Sequence, residues 1–188
     1  SLNNPQFPAL LKRVKPDIVF HLAAQIDVRD SLEDPSKDAK TNVMGTLAIV
    51  QHAAKCGVKK VVFSSSGGVM YPPGKRPPYS EKMTIDPISP YGISKRAAEM
   101  YLEFMFQTHG IPYVSLRYAN VYGPRQDTKG DAGVIAVFTQ HMLKGQPLTI
   151  NGTGRQSRDF VYVDDVVRAN MLAMSKHVTG AFNIGTGK

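Results

Sequence analysis

The sequence holds one cysteine, Cys56, in 188 residues. An internal disulfide framework is therefore excluded, and a reducing compartment is expected. No run of apolar residues approaches the length a bilayer span demands, and the polar start Ser1-Leu2-Asn3-Asn4-Pro5 does not read as a signal peptide. No membrane association is expected, and the expected location is the cytoplasm. The five histidines (His21, His52, His109, His141, His177) lack metal-ligand spacing and Cys56 has no companion, so no metal site is expected. No Gly-x-Ser-x-Gly elbow occurs. Gly185-Thr186-Gly187-Lys188 matches the end of a P-loop, but Phe182 stands where the first glycine belongs and no Ser or Thr follows. Asn151-Gly152-Thr153 fits a glycosylation acceptor and, without a secretory signal, reads as chance.

Negative charge is also scarce, leaving a formal net charge of +8. The cations do not form a nucleic-acid surface: Lys12-Arg13-Lys15, Lys59-Lys60, Lys75-Arg76 and Lys95-Arg96 are small, scattered groups without interleaved stacking aromatics. No nucleic-acid partner is expected. An anionic small substrate accounts for a few of these charges, and solvated faces account for most.

What is present is globular: 42% hydrophobic and 20% charged residues, with no repeat or low-complexity stretch. Residues 5–15 read as the tail of a helix closed by Pro16. Asp17 to Leu22 is a short apolar run suited to a buried parallel strand, passing into the small pair Ala23-Ala24. Val43, Leu47, Val50 and Ala54 recur at helical spacing over 41–55, Gly57 stops that helix, and a strand begins at Lys60. Strand, helix, strand over this distance is a βαβ crossover, so a parallel sheet covered by helices is expected. Asn42 at the helix start has the chemistry of a cap.

Residues 67–90, rich in Gly, Pro and Ser, read as a long loop of the kind that carries function. The helix after it has two apolar stripes, Ile93, Ala97, Met100, Phe104 and Ala98, Leu102, Met105, and so needs burial twice. Strands are expected at 113–118, 148–150, 160–163 and 182–184. Helices are expected at 133–144, with Val134, Phe138 and Met142 on one side, and after Asp164 or Asp165 as cap, with Val167, Met171 and Met174 facing inward.

Chemistry is concentrated in Phe63-Ser64-Ser65-Ser66 and Tyr91-Gly92-Ile93-Ser94-Lys95. Residues four apart share a helix face, which sets the Tyr91 phenol beside the Lys95 ammonium. That charge favours the phenolate and suits Tyr91 to proton transfer near neutral pH. A serine ending a strand offers a hydroxyl to the same reacting oxygen, with Ser66 preferred and Ser64 and Ser65 as competing choices.

Together with His21-Leu22-Ala23-Ala24, Asn42-Val43-Met44-Gly45-Thr46, Leu116 to Arg125, Arg158 to Asp165 and Asn183-Ile184-Gly185, these motifs occur in the order of a known family. The chain resembles an extended short-chain dehydrogenase/reductase of the nucleotide-sugar epimerase/dehydratase group, with UDP-glucose 4-epimerase-like members nearest in pattern. The resemblance implies an α/β fold, a Rossmann-like doubly wound parallel sheet. Residues 1–125 would form a partial dinucleotide-binding domain, and 126–188 the start of a substrate-binding region with interleaved Rossmann elements. A strand followed by Gly-x-x-Gly-x-x-Gly, which seats a dinucleotide pyrophosphate, does not occur. The first βαβ unit and most of the C-terminal substrate lobe are thus expected to be lacking, and the chain as written is expected to bind NAD poorly.

The resemblance further implies NAD as cofactor, with NADP left open, and a nucleotide-diphosphate sugar as substrate. It implies Ser66, Tyr91 and Lys95 as catalytic residues. Leu22, Ala23, Ala24, Asn42, Ser64, Ser65, Tyr91, Lys95 and Tyr118 would face the cofactor. Ser66, Asn120, Arg125, Val134 and Arg158 would face the substrate. A guanidinium at Arg158 suits a diphosphate, and an ion pair with Asp159 or Asp164 is its plainer role. A homodimer through the 41–55 and 91–108 helices is implied as well. The implied reaction is epimerisation at the sugar C4 through transient oxidation. Dehydration is disfavoured because Gly67-Gly68 stands where dehydratases carry Asp-Glu. Simple reduction of a keto-sugar, a cofactor-binding regulator with idle chemistry, and an inactive fragment remain alternatives.

Overall fold

The computed structural model describes residues 6–72, 74, 77–128 and 133–187. The basic pair Lys75-Arg76, the polar start at 1–5 and Lys188 lie outside them. Among the described residues, seven α-helices and six strands run in the order α1 (Gln6–Val14), β1 (Ile18–His21), α2 (Val28–Glu33), α3 (Pro35–Ala39), α4 (Gly45–Lys55), β2 (Lys60–Ser66), α5 (Pro90–His109), β3 (Tyr113–Tyr118), β4 (Asn120–Tyr122), α6 (Val134–Leu143), β5 (Phe160–Tyr162), α7 (Val163–Ala173) and β6 (Gly180–Ile184). A π-helical turn, Lys40–Met44, joins α3 to α4.

Four strands pair in the order β1-β2-β3-β6, every pair parallel. Side chains alternate across the sheet. Val61, Phe63 and Tyr113 pack on one face against Val50 and Ala53 of α4 and Ala98, Leu102 and Met105 of α5. Val62, Val114 and Leu116 pack on the other against Ala173 of α7. Helices thus cover both faces of a parallel sheet, a Rossmann-like α/β fold. α7 and β6 come from the 126–188 stretch and pack with strands from 1–125. A second, two-stranded parallel sheet pairs β4 with β5.

The helix α5 carries most of the site, and its ends are set by local chemistry. Ser89 caps it, accepting from the Gly92 amide at 3.1 Å, Pro90 takes the first turn, and Gly110 closes it in the left-handed region at φ 67°. Its stripe of Ala98, Leu102 and Met105 is buried, while Ile93, Met100 and Phe104 are exposed.

Several expectations are corrected. Residues 148–150 form no strand. β1 is the outermost of the four paired strands among the described residues, where Phe20 is 39% exposed. In α7 the buried residues are Val166 and Ala173, whereas Val167 and Met171 are 54% and 56% exposed. Neither Asp164 nor Asp165 caps α7: the chain turns in directly from β5, with Tyr162 at the cap, and both aspartates sit in the first turn. There they favour the positive end of the helix dipole. Periodicity pointed to the wrong face, and contact with the sheet selected the one that carries Val166 and Ala173. The short helices α2 and α3, each started by an aspartate cap (Asp27, Asp34), were not anticipated.

Candidate functional site

The carboxyl ends of β1 and β2 and the first turns of α5 meet at one rim. Lys95 is 3% exposed, and its ammonium donates to the Ser64 carbonyl at 2.8 Å. It lies 4.8 Å from the Phe63 ring centre and 5.7 Å from that of Tyr91. Burial pulls the Lys95 pKa down to about 8, against the opposing carboxylates of Asp38 and Glu99. The Tyr91 amide donates to the hydroxyl of Ser31, a fully buried residue of α2, at 3.2 Å. Gly92 is required beside it: an added Cβ would lie 2.7 Å from the Val69 carbonyl oxygen and 2.9 Å from Pro87.

The three serines go different ways. The Ser64 hydroxyl lies near the Tyr118 phenol, which accepts from Asn170 of α7 at 2.8 Å. Ser65 donates to Glu99 at 2.8 Å. Ser66, the last residue of β2, is half-buried, and its hydroxyl has no hydrogen bond among the described residues.

Asn42 is buried and caps no α-helix. It sits in the π-helical turn, accepting from the Gln25 amide and donating to the Gln25 carbonyl, both at 2.9 Å, and donating to Asp38 at 3.0 Å. It thereby holds the loop that follows β1, where Leu22 and Ala23 are exposed and Ala24 is half-buried. Asp38 is fully buried. Its Oδ1 also accepts from Gln25, and its Oδ2 has no hydrogen bond among the described residues. His21 shares a hydrogen bond with Thr46 at 2.8 Å, and its ring lies 5.3 Å from that of Phe63. Burial, assisted by the Lys95 charge, lowers the His21 pKa to about 4, so the ring is neutral at pH 7.

A second group lies around β4 and β5. The Asn120 side chain donates to the Asp159 carbonyl at 3.1 Å, and Asn120 pairs with Phe160 across the small sheet. Arg158 is exposed and makes no ion pair with Asp159 or Asp164, donating instead to the Ser157 carbonyl. The Asp159 carboxylate is occupied by Thr186 and the Gly187 amide, bonds that hold its pKa below the usual range against the effect of burial. Arg125, at φ 69°, lines a separate cavity of about 490 Å³ with Tyr122, Gln126, Ile135 and Tyr162. Val134 opens α6 and is exposed.

Sequence reasoning missed Glu99, Arg117, Tyr71, His21 and Asp38. Two carried a signal. Glu99 is an acid four residues beyond Lys95 on the same helix face, and Arg117 is a charge inside an apolar strand; such groups are rarely buried without a partner.

The NAD dependent epimerase/dehydratase family pattern matches residues 2–185. The chain belongs to that family. Within the family it is 45% identical over 179 residues to a UDP-glucose 4-epimerase of Mycolicibacterium smegmatis, covering 95% of this chain and 57% of that protein. Among solved structures it resembles UDP-glucose 4-epimerase of Thermotoga maritima with UDP-glucose at TM-score 0.92 and 50% identity, covering 97% of this chain and 61% of that one. It also resembles the Thermus thermophilus UDP-glucose 4-epimerase complex with NAD at TM-score 0.87 and 42% identity, covering 96% and 60%. The chain thus spans under two thirds of the length of each.

Proposed function

We propose that this chain carries the catalytic rim of a nucleotide-sugar 4-epimerase of the UDP-glucose/UDP-galactose type, with NAD as cofactor. The observation that carries the reading is the pairing on α5. Tyr91 and Lys95 share one face at the carboxyl rim of a parallel sheet, and the ammonium is fixed on the Ser64 carbonyl. Sheet rims of this kind bind nucleotides, and the family and the two solved epimerases support the same assignment.

The donor set fits the nicotinamide half of NAD. Lys95 has three N–H groups and, among the described residues, one hydrogen-bond acceptor, Ser64, so donors can serve ribose hydroxyls. Leu22, Ala23 and Ala24 offer an uncharged rim beside it. NAD, when bound, supplies the hydride acceptor and donor. Proton chemistry falls to the chain: Tyr91 takes the proton of the sugar 4-hydroxyl and returns one to the same oxygen after the keto-sugar has turned over. Lys95 favours the phenolate, and Ser66 donates to the reacting oxygen. Arg158 and Asn120 hold the substrate's diphosphate side, with Arg125 and Val134 toward the nucleotide. Tyr118, its phenol bonded to Asn170, neighbours the cofactor through its backbone.

Elimination of water needs a further acid/base pair. Gly67 and Gly68 follow Ser66, and a Cβ at Gly67 would meet the Arg117 carbonyl oxygen at 3.1 Å. Epimerisation therefore fits better than dehydration. The exposed stripe Ile93, Met100, Phe104 supports a homodimer through α5 and α4. Among the described residues no helix is long and apolar enough to cross a membrane and no cluster suits a metal ion. A cytoplasmic enzyme acting on a diffusible substrate is the proposed setting.

The test is incubation of the intact protein with NAD and UDP-galactose, followed by NMR of the nucleotide sugars. Conversion to UDP-glucose is expected. A 4-keto-6-deoxy product, or no turnover by NAD-loaded protein, rejects the reading.

A further inference from the structure

β3 is an apolar, buried strand, yet it carries Arg117, 3% exposed. The guanidinium forks onto Glu99 of α5, with Nε to Oε1 at 2.9 Å and Nη2 to Oε2 at 2.8 Å. Its remaining nitrogen donates to the Tyr71 hydroxyl at 3.2 Å, and that hydroxyl donates to Asn183 of β6 at 2.7 Å. Glu99 also accepts from Ser65 at 2.8 Å and from Arg96, at the helix surface, at 3.3 Å. Five segments are therefore tied to one ion pair: the end of β2, the loop after it, α5, β3 and β6.

The placement relates to the chemistry. Tyr91, Lys95 and Glu99 follow one another at single-turn intervals on one face of α5. Ser65 immediately precedes Ser66. Tyr71 belongs to the loop whose two ends are Ser66 and Tyr91. A buried ion pair is a weak source of net stability, because desolvation offsets the attraction, but a bidentate pair is geometrically specific.

We propose that the Glu99–Arg117 pair is a positioning device that sets the separation between the Ser66 hydroxyl and the Tyr91–Lys95 face, while touching neither substrate nor cofactor. The proposal rests on the reading that those three residues act together.

The test uses the intact protein. Glu99→Gln combined with Arg117→Met removes both charges at similar volume. The expected result is a melting temperature near the wild-type value, an unchanged KM and a kcat lower by roughly 10²-fold, the scale that small misplacements produce. Arg117→Lys, which keeps the charge and loses the fork, should give an intermediate kcat; it is the second variant should the first fail to accumulate. Wild-type kcat in either variant overturns the proposal, as does a kcat loss matched by loss of folded protein. Amide hydrogen exchange supplies an arm that needs no turnover. Residues 67–72 and 77–95 should exchange faster in the variants, with α4 and α7 unchanged. Uniform or unaltered exchange overturns the proposal, whereas absence of epimerisation by the wild type rejects only the functional reading.

Discussion

The Lys95 ammonium stands 5.7 Å from the centre of the Tyr91 ring, one helical turn away, and is held there by the Ser64 carbonyl on the neighbouring strand. The helix provides the shared face, and the strand end provides the anchor.

If Tyr91 moves the proton, Tyr91→Phe should retain the fold and lose turnover by roughly 10²–10⁴-fold, the usual weight of a positioned acid/base. Circular dichroism and a coupled assay for UDP-glucose check this together. Turnover near the wild-type rate would remove Tyr91 from the chemistry.

Burial brings Lys95 to about pKa 8. Its charge, and with it the support for phenolate, should fade as pH rises through about 8, giving kcat/KM a basic limb there. The stability contribution has the opposite sign. Between about 8 and the ordinary 10.5 the unfolded chain holds a proton that the folded chain has released, so raising pH across that window favours folding through this group. Activity should therefore fall above pH 8 while thermal unfolding temperatures do not. Nuclear magnetic resonance of ¹⁵N-labelled lysine assigns the titration.

His21 behaves as a buried neutral group. Its pKa is about 4 in the fold and 6.5 in the ordinary state, so the stability it contributes is complete above pH 6.5 and is lost as pH falls through about 4. The total is about 3 kcal/mol. Denaturant titrations across this range should show the loss, and His21→Gln should flatten it.

Gly92→Ala pits two effects against each other. Alanine favours a helix over glycine by about 1 kcal/mol. The added methyl group would lie 2.7 Å from a backbone oxygen and 2.9 Å from a proline ring, and overpacking of this kind costs about 1–3 kcal/mol. The clash is expected to prevail, read as a lower unfolding midpoint and reduced kcat.

Phe104→Glu, placed on the exposed stripe of α5, should leave the helical spectrum unchanged and sediment as a monomer where the wild type sediments as a dimer. A wild-type monomer at micromolar concentration contradicts the proposed interface.

By itself, the sequence determined the parallel βαβ order, the strand ending in three serines and the shared face of Tyr91 and Lys95. Each follows from local spacing: apolar runs bounded by helix signals, a small-residue loop, and a four-residue interval on a helix. The inward face of α7 and the partner of Ser65 were decided only in three dimensions. So were the neutral state of His21 and the ties linking Arg117 to Glu99 and Tyr71, 18 and 46 positions away along the chain. Periodicity states that a face is apolar without saying what will cover it. A charge inside an apolar strand calls for a counter-ion whose identity depends on which helix crosses that strand, and packing chooses the helix.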